Sequence, residues 1–275
     1  MNNKGNVEYL KSAGVDVDHG LELLGDMETY NSIMEEFLDA FDDRMKRIND
    51  YKNNGDLENY QIEVHSLKSD SKYLGFMNLA DIAYKHEMAS KNNDSNTINN
   101  TYNDLLTEAS KVINVVKAYL GKNNSSTSNN DLSNGNQNFD STGNSSKKII
   151  LIADDSSIIR SFVEEIFKDE YDVVGAKTGR EVADIVAKNL NNIAVLLLDL
   201  NMPDINGFQV LEWFKQNDLF KKIPVSVITG ASDKTSIDKA FTYPICDVLN
   251  KPFEKETVKD IVEKTLNFNN NVNEA

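Results

Sequence analysis

The chain has 275 residues, of which 40% are hydrophobic and 27% are charged, a balance typical of proteins that fold around a core. This length predicts two domains of ordinary size. The net charge of −15 argues against nucleic acid as a partner, because nucleic-acid binding needs a basic surface. The single cysteine, Cys246, excludes an internal disulfide and any zinc site made of several cysteines.

The polar beginning of the chain lacks the apolar core of a signal peptide. The longest apolar run, residues 193–198, is far shorter than the roughly 20 residues of a membrane helix. We therefore expect a soluble, cytoplasmic protein that does not insert into membranes.

Residues 1–122 contain no proline and repeat apolar side chains at helical spacing. One stripe includes Ile33, Phe37 and Phe41, and a turn signal at residues 53–56 follows it. The segments with this pattern are residues 29–51, 57–75, 77–91 and 101–120. Four long helices joined by short links predict an antiparallel four-helix bundle.

His65 lies just beside the apolar stripe of the second helical segment. Its own face carries Lys68, Ser69 and Lys72 at the third, fourth and seventh following positions. We expect this face to lie in solvent and His65 to be exposed. An isolated surface histidine usually has no special role, but an accessible imidazole with two lysines and small neighbours is suited to a phosphohistidine.

Residues 123–146 contain fifteen Asn or Ser in twenty-four positions. Such a segment buries too little apolar surface to offset its chain entropy. We expect a flexible linker with a root-mean-square span of roughly 25–30 Å.

Residues 147–275 alternate short apolar runs with helical patterns. The runs that predict strands are residues 148–153, 171–176, 193–199, 224–229 and 246–250. This alternation predicts a doubly wound α/β domain, in which a parallel sheet carries helices on both faces. In such domains, ligands bind beyond the carboxyl ends of the strands.

Five polar side chains follow those strand ends: Asp154, Asp155, Asp199, Thr229 and Lys251. Three carboxylates at one place repel each other, and a divalent cation removes that conflict. Oxygen ligands favour Mg²⁺, while the lysine and the hydroxyl can bind phosphate oxygens. The set is suited to a carboxylate that attacks phosphorus and becomes an aspartyl phosphate.

A single Asp after a strand is often only a helix cap, but five such groups in this order argue against coincidence. The stretches "LIADDSSIIRSFV", "LLLDLNMPDINGFQVL", "VITGA" and "NKPF" resemble the receiver domain of two-component response regulators, over about residues 147–268. The resemblance implies a flavodoxin-like (βα)5 fold with Asp199 as phospho-acceptor, Thr229 as switch hydroxyl and Lys251 as the phosphate-binding lysine, followed by a cis Lys251-Pro252 bond.

The same resemblance implies that Mg²⁺ is held by Asp154, Asp155, Asp199 and the backbone carbonyl of Asn201. Val248 occupies the position where receivers often have an aromatic residue. The usual coupling of the switch hydroxyl to an aromatic flip is therefore in question, and Tyr243 is an alternative side chain for it.

The stretch "HSLKSDSKYLG" resembles the phosphotransfer motif of histidine-containing phosphotransfer (Hpt) domains, over about residues 15–120. The resemblance implies that His65 carries phosphoryl, with Lys68 beside it and Ser69 where the family usually has glycine. Glu87 stands where the family commonly has an acid. The other two histidines, His19 and His86, match no motif and are expected at the surface or partly packed.

Receiver aspartates and Hpt histidines exchange phosphoryl in multistep phosphorelays, so the chain is predicted to carry it on both Asp199 and His65. No glycine-rich nucleotide loop is present, so we expect no kinase activity, and the partners are sensor histidine kinases or other receiver and Hpt proteins. Two alternatives remain: the bundle is a docking module whose histidine is never phosphorylated, or the receiver is a phosphate sink.

Overall fold

The computed structural model describes residues 5–122, 147–230 and 234–272, with only the backbone described for residues 269–272. The linker predicted for residues 123–146 lies outside the described residues. Among the described helices, none combines the length and the hydropathy needed to span a membrane.

The N-terminal part is entirely helical. Its helices are α1 (Val7–Ser12), α2 (Val17–Leu24), α3 (Met27–Asn54), α4 (Leu57–Tyr73), α5 (Met77–Lys91) and α6 (Ser95–Leu120). The four long helices, α3 to α6, are those that the sequence predicts, and α1 and α2 are short additions. The predicted helical bundle is confirmed.

Local capping sets the ends of the long helices. The side chains of Asp26, Asp56 and Asp94 each accept a hydrogen bond from the backbone N–H three residues later, at the first turns of α3, α4 and α6. Gly55 and Gly121 end α3 and α6 in the left-handed conformation, which glycine adopts without steric cost. The sharp turn at Gly55 reverses the chain and places α4 beside α3.

The C-terminal part is a five-stranded parallel sheet. Its strands are β1 (Ile149–Ala153), β2 (Asp172–Ala176), β3 (Ile193–Asp199), β4 (Val225–Gly230) and β5 (Val248–Lys251). Its helices are α7 (Ser157–Phe167), α8 (Gly179–Asn189), α9 (Gly207–Gln216), α10 (Lys234–Ala240) and α11 (Lys255–Val272). The strand order β2-β1-β3-β4-β5 is the flavodoxin-like topology, so the predicted fold class is confirmed.

The bundle and the sheet domain pack directly against each other. Helix α3 lies against α7, and the apolar core of the bundle continues into the core on one face of the sheet. A separate apolar core covers the opposite face of the sheet, under α8 and α9. This packing places the carboxyl ends of the strands next to α4, the helix that carries His65.

Candidate functional site

Three carboxylates meet at the carboxyl edge of the sheet. Asp154 and Asp155 follow β1, and Asp199 ends β3, so the neighbouring positions of these strands bring their oxygens within 4.8 Å of one another. Asp154 and Asp199 are almost completely buried. Burial raises the pKa of Asp154 to about 8, against the lowering effect of Lys251, and burial with the charge of Asp199 raises the pKa of Asp155.

Lys251 ends β5 and places its ammonium group inside this cluster. Its Nζ lies 2.6 Å from Oδ2 of Asp199 and 2.8 Å from Oδ2 of Asp154. Although burial acts to lower the pKa of Lys251, the charges of Asp154 and Asp199 raise it above its ordinary value. The Lys251-Pro252 bond is cis, as expected from the sequence.

Thr229 lies near the end of β4, and its Oγ1 is buried without a hydrogen-bond partner among the described residues. A buried hydroxyl is costly without a partner, so this atom is placed to bind a group that enters the site. The backbone N–H of Asn201 donates to Oδ1 of Asp199 at 2.9 Å. The unpaired hydroxyl and the three clustered carboxylates fit a bound Mg²⁺ and a phosphoryl group.

His65 is buried, so the prediction that it is exposed is wrong: its exposed fraction is 7%. The sheet domain of the same chain covers it. A Cβ atom added to Gly230, the last residue of β4, would lie 3.6 Å from Cε1 of His65. The imidazole therefore lies near the edge of the sheet where Lys251 ends β5 and where Thr229 is the second-last residue of β4.

Glu87 of α5 contacts the His65 imidazole at its Nδ1. Its Oε1 is 2.9 Å from Nδ1 of His65 and 2.8 Å from Nζ of Lys91, and its Oε2 is 2.7 Å from Nζ of Lys68. Burial acts to raise the pKa of Glu87, but His65 and Lys68 lower it below its ordinary value. In the tautomer whose Nδ1–H donates a hydrogen bond to the ionised Glu87, the lone pair of the histidine is on Nε2.

A cavity of about 370 Å³ lies between His65 and Lys251. Its lining includes Lys68, Lys72 and Gly230. Lys68, named from the sequence as a cation for the phosphate, contacts both this cavity and the carboxylate of Glu87. Its lining carries three lysines and one acidic residue, Asp81, so positive groups outnumber negative ones and favour an anion.

Polar contacts that the sequence did not reveal connect the bundle to the sheet domain. The hydroxyl of Ser66 donates to Oδ2 of Asp155. Ser156 Oγ donates to Oδ1 of Asp70 at 2.6 Å, and the guanidinium of Arg44 donates to the other oxygen of Asp70. The partners across the two domains are separated by 86 to 89 residues in the chain, so no local pattern could have paired them.

The remaining sequence expectations have mixed outcomes. His86 is buried in the bundle core and not at the surface. Its Nδ1 lies 2.7 Å from the hydroxyl of Tyr60. Burial lowers the pKa of His86. His19 is partly packed, as expected. Val248 is half-buried, and the hydroxyl of Tyr243 donates to Glu212 at 3.2 Å.

Two domain families match this chain. Residues 150–263 match the response regulator receiver domain, and residues 32–113 match the Hpt domain. Both ranges lie inside the limits that the sequence motifs indicate. The matched receiver range contains the acid cluster and Lys251, and the matched Hpt range contains His65 and Glu87.

The chain is similar to a chemotaxis protein CheY homolog of Campylobacter jejuni, with 27% identity over 42% of this chain and 91% of that protein. It is 29% identical to chemotaxis protein CheY1 of Helicobacter pylori, over 44% of this chain and 98% of that protein. The solved structure of chemotaxis response regulator CheY4 of Vibrio cholerae aligns with 44% of this chain and 99% of its own, at 26% identity and a TM-score of 0.40. The chain therefore joins an Hpt domain to a response regulator receiver domain, and it is a two-component phosphorelay protein.

Proposed function

We propose that Asp199 accepts phosphoryl and that His65 carries it, with residues 1–122 and 147–275 as the two phosphoryl-carrying units. The cluster of Asp154, Asp155, Asp199 and Lys251 is the observation that supports the proposal most directly.

The carboxylate of Asp199 attacks the phosphorus of a donor through one oxygen, and the bond between phosphorus and the leaving group breaks. Lys251 binds the oxygens of the transferring group, and Thr229 offers them its unpaired hydroxyl. The residues that would hold Mg²⁺ are Asp154, Asp155, Asp199 and the backbone carbonyl of Asn201. When bound, Mg²⁺ neutralises negative charge on the carboxylates and the phosphoryl group.

His65 is suited to the second step because a carboxylate oxygen of Glu87 lies 2.9 Å from its Nδ1. When Nδ1–H donates a hydrogen bond to Glu87, Nε2 has the lone pair that attacks phosphorus, and Nδ1 keeps its proton. The new P–N bond forms as the P–O bond to Asp199 breaks, and its electron pair returns to the carboxylate of Asp199. The phosphorylated ring is cationic, and the adjacent carboxylate of Glu87 stabilises that charge.

The phosphoryl group must come from another molecule, because neither a carboxylate nor an imidazole takes it from ATP without a kinase domain. We therefore propose a sensor histidine kinase, or a partner receiver or Hpt protein, as the donor.

The test supplies acetyl phosphate with Mg²⁺ to the purified chain and follows the label by its chemical stability. We expect a base-labile acyl phosphate on Asp199 and an acid-labile, base-stable phosphohistidine on His65. Asp199→Asn should abolish both labels, and His65→Gln should abolish only the second. The matched controls are Asp169→Asn and His19→Gln. No base-stable label with any donor, including candidate kinases and receivers, would contradict the relay.

A further inference from the structure

We propose that the receiver docks on the Hpt bundle of its own chain, and that phosphoryl passes between Asp199 and His65 within one molecule. This inference rests on the proposed function and adds the partner that performs the second step. The contacts between the two domains support this inference.

The docked faces are apolar and closely packed. Ile158, in the first turn of α7, borders a gap of only about 10 Å³ together with Phe37 and Phe41 of α3. All three side chains are buried. Ile159 and Val163 are also buried on the same helix. Helix α7 therefore has apolar side chains both on its sheet-facing side and on the side that meets the bundle.

A second apolar contact lies closer to the active site. The ring of Tyr73, at the end of α4, packs against Phe162 of α7 and Phe253, with centroid distances of 6.0 Å and 5.7 Å. The backbone N–H of Phe253 donates to the hydroxyl of Tyr73 at 3.0 Å. Phe253 follows the cis Lys251-Pro252 bond, so this contact ties the end of α4 to the segment that positions Lys251.

Polar contacts restrain the orientation of the two domains relative to each other. Ser156 binds Asp70, and Ser66 binds Asp155, one of the acids of the active site. Both bundle residues lie on α4, one and five positions after His65. A directional hydrogen bond needs a defined orientation of its partners, so the two bonds together restrain where His65 lies relative to the acid cluster.

The resulting geometry fits direct transfer. The imidazole of His65 and Gly230 line the same cavity, and this cavity between His65 and Lys251 has room for a phosphoryl group. In the transfer, the P–O bond to Asp199 breaks, the Nε2 lone pair forms the P–N bond, and the freed electron pair stays on Asp199. The reverse step exchanges the same two bonds, so no additional reactant is needed.

The docked state also limits access to the two sites. Asp199 is 1% exposed and His65 is 7% exposed. A kinase or a second receiver therefore competes with the internal domain for the same surfaces. Both domains are on one chain, so the internal partner has an effective concentration of up to about millimolar, above that of a free partner at micromolar concentration.

The test measures the rate of label transfer from Asp199 to His65 in the full-length chain over about a hundredfold range of protein concentration. Transfer within one molecule predicts a first-order rate that does not change with concentration. A mixture of Asp199→Asn chains with His65→Gln chains should transfer at least about tenfold more slowly than the unmodified chain, since each internal partner blocks the other.

Ile158→Lys tests the interface, with Glu164→Gln as a control that changes the charge equally at an exposed position of the same helix. We expect Ile158→Lys to slow transfer at least about tenfold while Asp199 still accepts label, because a lysine at the buried contact disfavours docking. The concentration series uses the unmodified chain, so it distinguishes transfer within one molecule from transfer between molecules even if Ile158→Lys fails to fold.

A transfer rate proportional to concentration, or a mixture as fast as the unmodified chain, would overturn this inference and leave the proposed function intact. Absence of label on His65 at every concentration would instead overturn the proposed function and the inference together.

Discussion

Glu87→Gln removes the negative charge next to Nδ1 of His65 and keeps the size of the side chain. Glu87 is 1% exposed and contacts His65 at 2.9 Å, Lys68 at 2.7 Å and Lys91 at 2.8 Å. The glutamine keeps one acceptor oxygen but cannot balance the positive charges around it. We expect both the phosphohistidine and the fold to lose stability.

The expected size of both losses of stability follows from the three contacts of Glu87. A hydrogen bond to a charged group contributes about 1.5–3 kcal/mol. The contact with Lys91 counts for less, because that side chain is 41% exposed and a surface ion pair contributes about 0–1 kcal/mol. Loss of the charge opposite the phosphorylated His65 should therefore shift phosphoryl toward Asp199 by about 10- to 100-fold. The free energy of unfolding should fall by about 2–4 kcal/mol.

Two measurements separate these effects: the share of base-stable label at equilibrium, and urea unfolding of the unphosphorylated chain. Glu35→Gln is the control, because Glu35 is exposed on α3 of the same bundle. An unchanged share of label on His65 in a folded Glu87→Gln chain would refute the assignment of Glu87 as the partner of the imidazole.

The pH dependence supplies a further check on Glu87. Its pKa in the folded chain is below the ordinary value of 4.5, so its stabilisation is fully present above pH 4.5. That stabilisation is lost as the pH falls through the folded-state pKa. The difference in unfolding free energy between the unmodified chain and Glu87→Gln should therefore shrink as the pH falls below about 4.5.

Two other predictions concern packing and burial. Gly75 and Gly55 both have a positive φ, but a Cβ on Gly75 would lie 2.2 Å from a backbone carbonyl oxygen, whereas one on Gly55 would meet nothing within 4 Å. In urea unfolding, Gly55→Ala should cost about 1–2 kcal/mol, and Gly75→Ala should cost more than about 3 kcal/mol; equal costs would contradict the close approach. Burial raises the pKa of the Cys246 thiol to about 11. At pH 8 a thiol reagent should therefore modify the folded chain about a hundredfold more slowly than the unfolded chain. Equal rates of modification would show that the thiol is exposed.

The helices and strands were predictable because their signals are local. The apolar spacing of residues 29–51 and the Gly55 turn lie within a few residues of the structures that they specify. The run 193–199 coincides with β3. Since parallel strands align their carboxyl ends, the convergence of Asp154 with Asp199 followed from the fold class alone.

The surroundings of His65 could not be predicted in the same way. The spacing of Lys68 and Lys72 predicted that one face of α4 lies in solvent. In the full chain Gly230, from the receiver, lies against that face. Glu87 was recognisable as a family position, but its contact with the imidazole depends on how α4 packs against α5.

The sequence by itself predicted two folding units and the two groups that we propose to carry phosphoryl, because capping, periodicity and strand-end chemistry act over short distances along the chain. Only the tertiary structure decided that the units dock and cover His65. Docking depends on contacts such as Ser156 with Asp70, whose partners are 86 residues apart in the chain, so no local sequence signal specifies them.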